Sequence, residues 1–383
     1  MKLIKPSALG HFDERKKRHA IYSIDFQPNA GRLATGASDN SVKLWSVEEL
    51  LKLESEEGGA EGGSGPQDAA LLATLSNHTK SVNVVRWSTD GAFLASGSDD
   101  CYILIYKFAP GSISTSSFGS SSAQSRNKES WTRCATLQGH SMDILDVDWS
   151  PRGLLASASI DNTIMIWECK DLGLPGCPAI HNPLHVLRAH DNYVKGLSFD
   201  PLGKFLVSSG SDNIVNVWDA DTWEVTEKLT EPMRNSMDRA CSLFRRMSWS
   251  PDGQSFSVTA CTKSSRPVGM LIKRGSWEPA IDLVGHEQPT LSTRFCPYVM
   301  QTEAVAAAVP ATPATTIAGT AAGSEEAPSS ASPSSSSSAS KKNKGGRQQV
   351  PMCVVAMGDA LGVLSVWTTG SAQAVRILLC YCP

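Results

Sequence analysis

The sequence has no apolar run of the about 18 or more residues that a bilayer span requires, and its start, MKLIKPSALGH, is too short an apolar stretch for a secretory signal. Its ten cysteines include no Cys-x-x-Cys pair, and its eight histidines show no zinc-type spacing. Neither a disulfide scaffold nor a structural zinc site is therefore indicated, and the cysteines read as reduced thiols. Phosphate loops and metal-ligand spacings are absent too, so no enzyme pocket, metal or cofactor is expected. Excess positive charge is also missing. With 35 Lys and Arg against 38 Asp and Glu, the formal net charge of -3 excludes a generally cationic nucleic-acid binder. Any DNA or histone contact has to be local. These absences point to a soluble, non-membrane protein of cytosol or nucleus.

What is present is a repeat. The stretch GHSMDILDVDWSPRGLLASASIDNTIMIW, residues 139–167, sets His140, Ser157 and Asp161 within reach of one another, as a hydrolase triad would. A catalytic constellation is needed once, however, and a building block repeatedly. Counting back from a tryptophan, an aspartate recurs six residues earlier and a hydroxyl residue ten earlier: Thr35, Asp39, Trp45; Ser157, Asp161, Trp167; Ser208, Asp212, Trp218. Ser96, Asp100 and Tyr106 keep the spacing with tyrosine in the indole place, and His78, His140 and His190 precede three of the sets. Four copies are incompatible with a single active site.

Each copy alternates apolar and polar residues with the period of a half-buried strand. In the third copy DILDVDWS (143–150), LLASAS (154–159) and TIMIWEC (163–169) read as three strands, and TRCATLQG and PLHVLRA supply a further strand before His140 and His190. Four strands per unit at a period of about 40–45 residues is the pattern of propeller blades, and radial stacking leaves few exposed edges. Blade starts fall near Ile21, Val82, Ile144, Val194, Phe244 and Leu291. The fifth repeat keeps RRMSWSPDG (245–253) but lacks the aspartate and tryptophan, and CTKSSRPVGMLIKRGSW after it reads as a long turn. The sixth keeps Gly285, His286 and Trp367, with Asp359 two residues too early. Residues 52–69, 109–130 and 298–350 are acidic and glycine-rich, serine-rich, and Ala/Ser/Pro-rich, and read as mobile inserts unable to bury a core.

These repeats resemble WD40 repeats. The resemblance implies a buried hydrogen-bonded tetrad in each blade, here His140, Ser157, Asp161, Trp167 and His190, Ser208, Asp212, Trp218. The chemistry agrees, because a buried aspartate is costly unless imidazole, hydroxyl and indole donors satisfy the network. The implied fold is an all-β WD40 propeller occupying residues 1–383 as one domain, with six recognisable blades where the family has seven, so the last blade is missing or the ring incomplete.

Further segments are more specific. MKLIKPS, SVNVVRWSTDGAFLASGSDD, SSFGSSS before ESWTRCATLQGH, VKGLSFDPLGKFLVSSGSD, the irregular fifth repeat and RGSWEPAIDLVGH resemble the histone regulator HIRA family, over residues 1 to about 297 and about 352 to 369. The resemblance implies a nuclear, non-enzymatic scaffold of a histone chaperone complex for replication-independent nucleosome assembly. Its partners would be a ubinuclein-type subunit and, through the complex, histones H3-H4, with no direct sequence-specific nucleic acid. The alternatives are the WD40 subunit of replication-coupled chromatin assembly factor, or an adaptor of a ubiquitin ligase or RNA-processing complex. Residues beside the tetrads are the candidate partner contacts: Asp99, Asp143, Tyr193, Lys195, Arg245 and Arg246. Basic runs at 13–19 and 341–347 read as solvated linker or as import and nucleic-acid contacts.

Overall fold

The structure, a computed structural model, describes residues 9–12, 15, 17–55, 69–110, 127–170, 172, 180–233, 242–303, 349–360, 362–369 and 376–379. Among the described residues six blades of four antiparallel strands follow one another along the chain, each strand pairing with the next in its own blade, and a fifth, parallel strand extends the second. The first blade is Ile21–Phe26, Arg32–Ala37, Val42–Ser46 and Leu71–Leu75. The second is Val82–Trp87, Phe93–Ser98, Tyr102–Phe108 and Trp131–Gln138. The third is Ile144–Trp149, Leu154–Ser159, Ile164–Glu168 and His185–Leu187. The fourth is Val194–Phe199, Phe205–Gly210, Val215–Asp219 and Val225–Leu229. The fifth is Ser248–Trp249, Ser255–Lys263, Arg266–Lys273 and Pro279–Val284. The sixth is Thr290–Phe295, Val354–Asp359, Val363–Thr368 and Arg376–Leu379.

Turn chemistry fixes these hairpins. Between first and second strands the chain reverses through Gly91, Gly153, Gly203 and Gly253, all at positive φ, where a side chain would be strained. Between second and third strands Asn40, Asn162 and Asn213 take left-handed backbone directly after the repeat aspartate. The segment expected as a long turn in the fifth repeat is instead a tight hairpin: Ser264 and Ser265 are both at positive φ, and the flanking strands pair from Lys263 with Arg266 inward. Its alternation is hidden because Val258, Ala260 and Cys261 straddle a bulge.

The core lies between blades. Trp87 packs with Ala34, Val42 and Leu44 of the first blade, and Trp149 with Ile103 and Ile105 of the second. Phe199, Trp249 and Phe295 repeat the arrangement on the third, fourth and fifth blades. One rule thus builds five junctions: an aromatic at the end of each first strand lies on the small and branched side chains of the blade before it.

Both ends of the inserts fall among the described residues. The helix Val47–Ser55 runs into the acidic insert, and Met300–Glu303 pairs with Gln349–Met352 at the base of the third insert. The serine-rich insert returns to seal the first blade's outer edge: Lys128 and Glu129 donate their backbone N–H groups to Leu72, and the Asn127 amide both accepts from and donates to the Thr74 backbone. Arg32 adds a forked ion pair to Glu129. Similarly Ile180–His181 lies parallel along the second blade's outer strand. The remaining insert residues lie outside the described set.

At the junction of fourth and fifth blades, a β-carbon placed on Gly196 would sit 1.9 Å from the Arg245 carbonyl oxygen and 2.7 Å from its carbon, backbone atoms that cannot move aside. Gly196→Ala is predicted to destabilise the fold by about 2–3 kcal/mol. Urea unfolding checks this, and an unchanged midpoint would contradict the junction geometry.

Candidate functional site

In the third blade His140 Nε2 is 2.8 Å from Ser157 Oγ, His140 Nδ1 is 2.9 Å from Asp161 Oδ2, and Trp167 Nε1 donates to Ser157 Oγ at 2.9 Å. The fourth blade repeats this with His190 2.8 Å from both Ser208 and Asp212, and Trp218 donating at 2.9 Å. With each imidazole protonated on Nδ1, the protons run in one direction, from indole to hydroxyl to imidazole to carboxylate. The aspartate is completed by backbone donors, Ser141 and Thr163 in the third blade, and by the Thr163 hydroxyl. Burial works against charge on Asp161, but the His140, Thr163 and Ser141 hydrogen bonds outweigh it and hold the carboxyl far below the usual range. A serine whose oxygen accepts from an indole and whose neighbours are buried has no room for a substrate. The constellation is a clamp at the end of the sheet that carries it.

Two further tetrads escape simple spacing. In the first blade His11 takes the histidine role, 2.8 Å from Thr35 Oγ1 and 2.8 Å from Asp39 Oδ2, with Trp45 donating to Thr35 at 2.9 Å. A small hairpin pairing His11–Phe12 with Arg18–His19 lengthens the interval between His11 and Thr35. The dipeptide Gly10–His11, shared with Gly139–His140, was the available signal. Burial opposes charge on Asp39 and is outweighed by His11 and Ser41, which bring its carboxyl to about 2; burial likewise lowers the His11 imidazole. In the sixth blade Met357 occupies the hydroxyl position, and Ser365, directly across the hairpin from it, supplies the oxygen: His286 Nε2 lies 2.6 Å away and Trp367 Nε1 2.7 Å away. Asp359 then meets His286 Nδ1 at 2.9 Å despite its early place in the sequence. The second blade keeps His78, Ser96 and Asp100, with a buried Tyr106 as its aromatic. In the fifth blade Ser257 instead bonds Thr293 of the sixth, at 2.6 Å.

The first strands meet along the ring axis, where a second polar network replaces apolar packing. Arg246 donates to the Tyr22 carbonyl at 2.5 Å and to the Asn83 carbonyl at 2.6 Å, and its Nε is 3.6 Å from Asp146. One side chain of the fifth blade thus touches three others, and its ring-side face lies 4.6 Å from the Phe244 centroid. Arg86 approaches the same Asp146 oxygen at 3.6 Å. Aspartates also clasp neighbouring strands: Asp25 accepts from Trp87 N–H at 2.9 Å and Asp148 from Phe199 N–H at 2.7 Å. Burial lifts Asp148 to about 6, only partly countered by Arg294 and that hydrogen bond.

Of the six candidate contacts, the structure exposes some and buries others. Tyr193 is 41% exposed at the start of its strand, while Asp99 and Asp143 are half-buried at the same end of the ring. Burial and the neighbouring Asp99 charge both raise Asp143, so these two carboxylates lie close enough to repel. Lys195, Arg245 and Arg246 are not surface groups and are corrected here: Lys195 is buried, Arg245 is 0% exposed with its guanidinium on the Gly210 carbonyl at 2.9 Å, and Arg246 is the axial residue just described. Their strand-end positions suggested solvent, but the innermost strand of each blade faces other blades across the axis. Charge reversal there reports on folding, not on binding.

Among the described residues no group of three or more His, Cys, Asp and Glu is arranged to hold a metal ion, and no helix is long and apolar enough to cross a membrane.

Comparison with known proteins gives a consistent picture. The family model described as CAF1B/HIR1 beta-propeller domain matches residues 14–325. Protein HIR1 of Mycosarcoma maydis is 35% identical over 305 residues, 78% of this chain and 28% of that protein. Protein hir1 of Schizosaccharomyces pombe is 35% identical over 304 residues, 78% of this chain and 30% of that protein. Protein HIR1 of Kluyveromyces lactis is 32% identical over 309 residues, 79% of this chain and 34% of that protein. The chain therefore spans about a third or less of the length of these relatives.

Two outcomes test the site. Asp161→Ala should destabilise the fold by about 2–3 kcal/mol, through loss of a buried hydrogen-bonded acid. Because the folded carboxyl is depressed, that stabilisation is full above the unfolded value of about 4 and is lost as pH falls below it, so the mutant and wild-type melting points should converge in acid. Asp148 has the opposite sign: its carboxyl is raised from about 4 to about 6, so its cost to the fold builds between those values and is full above about 6. Asp148→Asn should therefore melt higher than wild type at pH 8, by less near pH 5, and no differently near pH 3; a lower melting point at pH 8 would refute the burial cost.

Proposed function

Because the chain belongs to the CAF1B/HIR1 β-propeller family, we propose that it is the non-catalytic propeller of a HIR-type histone chaperone subunit, acting in the nucleus as a docking platform in replication-independent nucleosome assembly. The observation that carries this reading is the match over residues 14–325 together with relatives named Protein HIR1 along most of the chain. The geometry supports the non-catalytic part. Every His, hydroxyl and Asp constellation is buried and committed to an indole or backbone partner, so the residues most suggestive of chemistry are used in holding sheets.

The partner surface in this reading is the end of the ring that carries the aspartate turns. There Tyr193 and Met142 are exposed apolar groups, and the half-buried acids Asp99 and Asp143 lie on the same end. Exposed apolar side chains on an end that also carries acids suit a segment that offers an apolar side chain flanked by a lysine or arginine. A ubinuclein-type subunit is the proposed occupant, and histones H3-H4 reach the platform through the complex. The CAF1B half of the family description favours a second reading, the corresponding subunit of replication-coupled chromatin assembly factor.

Titration of the purified chain with a ubinuclein-type peptide, followed by calorimetry, tests the proposal. Tyr193→Ala should weaken binding about tenfold or more and leave the melting point unchanged, since the side chain is largely exposed. Equal affinity of wild type and variant would remove this face from the reading, and no binding by wild type would remove the partner.

A further inference from the structure

A sheet edge left open beside apolar side chains is a template for another strand, and proteins cover or charge such edges. Several outer edges here are dealt with in that way. The chain itself lies along two of them, with residues 127–129 on the first blade and Ile180–His181 parallel along the second. The fourth blade's outer strand exposes Thr226, Glu227 and Lys228, and the fifth's starts with Pro279 and carries Asp282, paired with Lys263. The third blade differs. Among the described residues nothing pairs with the outer side of His185–Leu187, and Leu184 is 50% and Val186 41% exposed. Val186 lies across from Met165, in a place that holds Thr74 in the first blade, Thr136 in the second and Lys228 in the fourth; the sixth has Ile377. Met165 belongs to the core shared by the second and third blades, and side chains paired across a sheet share a face, so Val186 carries that core out to the surface. The strand is held from its other face, where Leu187 is buried and His185 meets Trp223 with ring centroids 5.8 Å apart. Directly after it, Arg188 is exposed and pairs with no carboxylate among the described residues.

We infer that the outer edge of the third blade is a docking site for an extended, acidic segment of another polypeptide, added as a fifth strand. The second blade shows the arrangement within this molecule, where Ile180–His181 extends a four-stranded blade in the same manner. Main-chain hydrogen bonds hold such a segment, and alternate side chains give it specificity. Because the outer strand is three residues long, the main-chain bonds are few, and Leu184, Val186 and Arg188 decide the choice. They call for apolar residues at alternate positions and a carboxylate at the end beside Arg188. Two copies of this chain joined edge to edge leave Arg188 unmet, since residues 180–188 contain no Asp or Glu. A basic segment is disfavoured by the same charge, and a nucleic acid meets the cation but neither the strand edge nor the aliphatic pair. The edge lies on the outer circumference, so the inference is independent of the Tyr193 end of the ring.

The test uses synthetic peptides of about eight residues, within the span of an ordinary strand, with Val or Ile at alternate positions, Ser or Thr between them and Glu at one end. Binding to the full chain is read by fluorescence anisotropy, beside scrambled peptides of the same composition. The alternating peptides should bind more tightly than the scrambled ones by about tenfold or more. Val186→Thr, which installs the residue that the first and second blades already hold at this place, and Arg188→Glu should each weaken binding about fivefold. Both should leave the melting point within about 2 °C, as for other surface changes. The photo-crosslinking amino acid p-benzoylphenylalanine at position 186 should form an adduct with the alternating peptide, and at position 202, where Leu202 is exposed on the fourth blade, it should not. Tyr193→Ala should change none of this, which separates the edge from the peptide-binding end of the ring. No binding of the alternating peptides, equal binding of the scrambled ones, indifference to both variants, or adducts from position 186 only to this chain would each overturn the inference.

Discussion

A carboxylate withdrawn from water at the end of a sheet has to be met by fixed hydrogen bonds, and the ring depends on how this chain meets that requirement. An unpaired buried charge costs several kcal/mol, whereas one held by oriented donors rigidifies whatever presents them. Here the donors come from the loop before the blade, its second strand and its third, so satisfying one aspartate ties three segments of a sheet together. The sixth blade shows that the requirement is chemical and not positional. With Met357 in the hydroxyl place, Ser365 delivers an oxygen from the facing strand, and His286, Asp359 and Trp367 close the same circuit. The fifth blade lacks the aspartate and has no circuit to close. Its hydroxyl Ser257 turns to the next blade, and sulfur and aromatic side chains such as Met233, Met270 and Phe256 fill the sheet interface.

The axis works under the same constraint at closer quarters. First strands from all blades converge there, and their backbone groups and charges are shared between neighbours: Asp25 and Asp148 accept from the next blade, and Arg246 spans to the first, second and third. Tetrads stabilise blades one at a time, while the axial groups couple blades to one another. The named members of both networks lie on the blades and the turns between them, outside the three inserts.

Much of this was legible in the sequence, and the exceptions have physical causes. The hydroxyl, acid and aromatic spacing is rigid because one hairpin of fixed length carries all three residues, so four such sets, three of them with their histidine, are visible in the residues alone. His11 is hidden because an extra hairpin lengthens its approach, and Ser365 because cross-strand register, not sequence interval, brings it to the site. Arg245 and Arg246 look like surface charge because their partners, Gly210, Tyr22, Asn83 and Asp146, lie on other blades far along the chain. Burial of that kind follows from the gathering of the first strands around one axis, which no local pattern encodes. Phe26 is of the same type: in the sequence it looks like every other first-strand aromatic, yet it is 63% exposed, because none of the described sheets covers it.

The functional reading follows from this division of labour. Side chains that would be reactive in an open cleft are consumed in holding sheets, which is why the proposed recognition falls to the rim. The account stands on the claim that hydroxyl and carboxylate act as one buried circuit. A double-mutant cycle on Ser157→Ala and Asp161→Asn, read by urea unfolding, measures that directly. The circuit predicts a coupling of about 1–3 kcal/mol between the two, and strictly additive effects would contradict it.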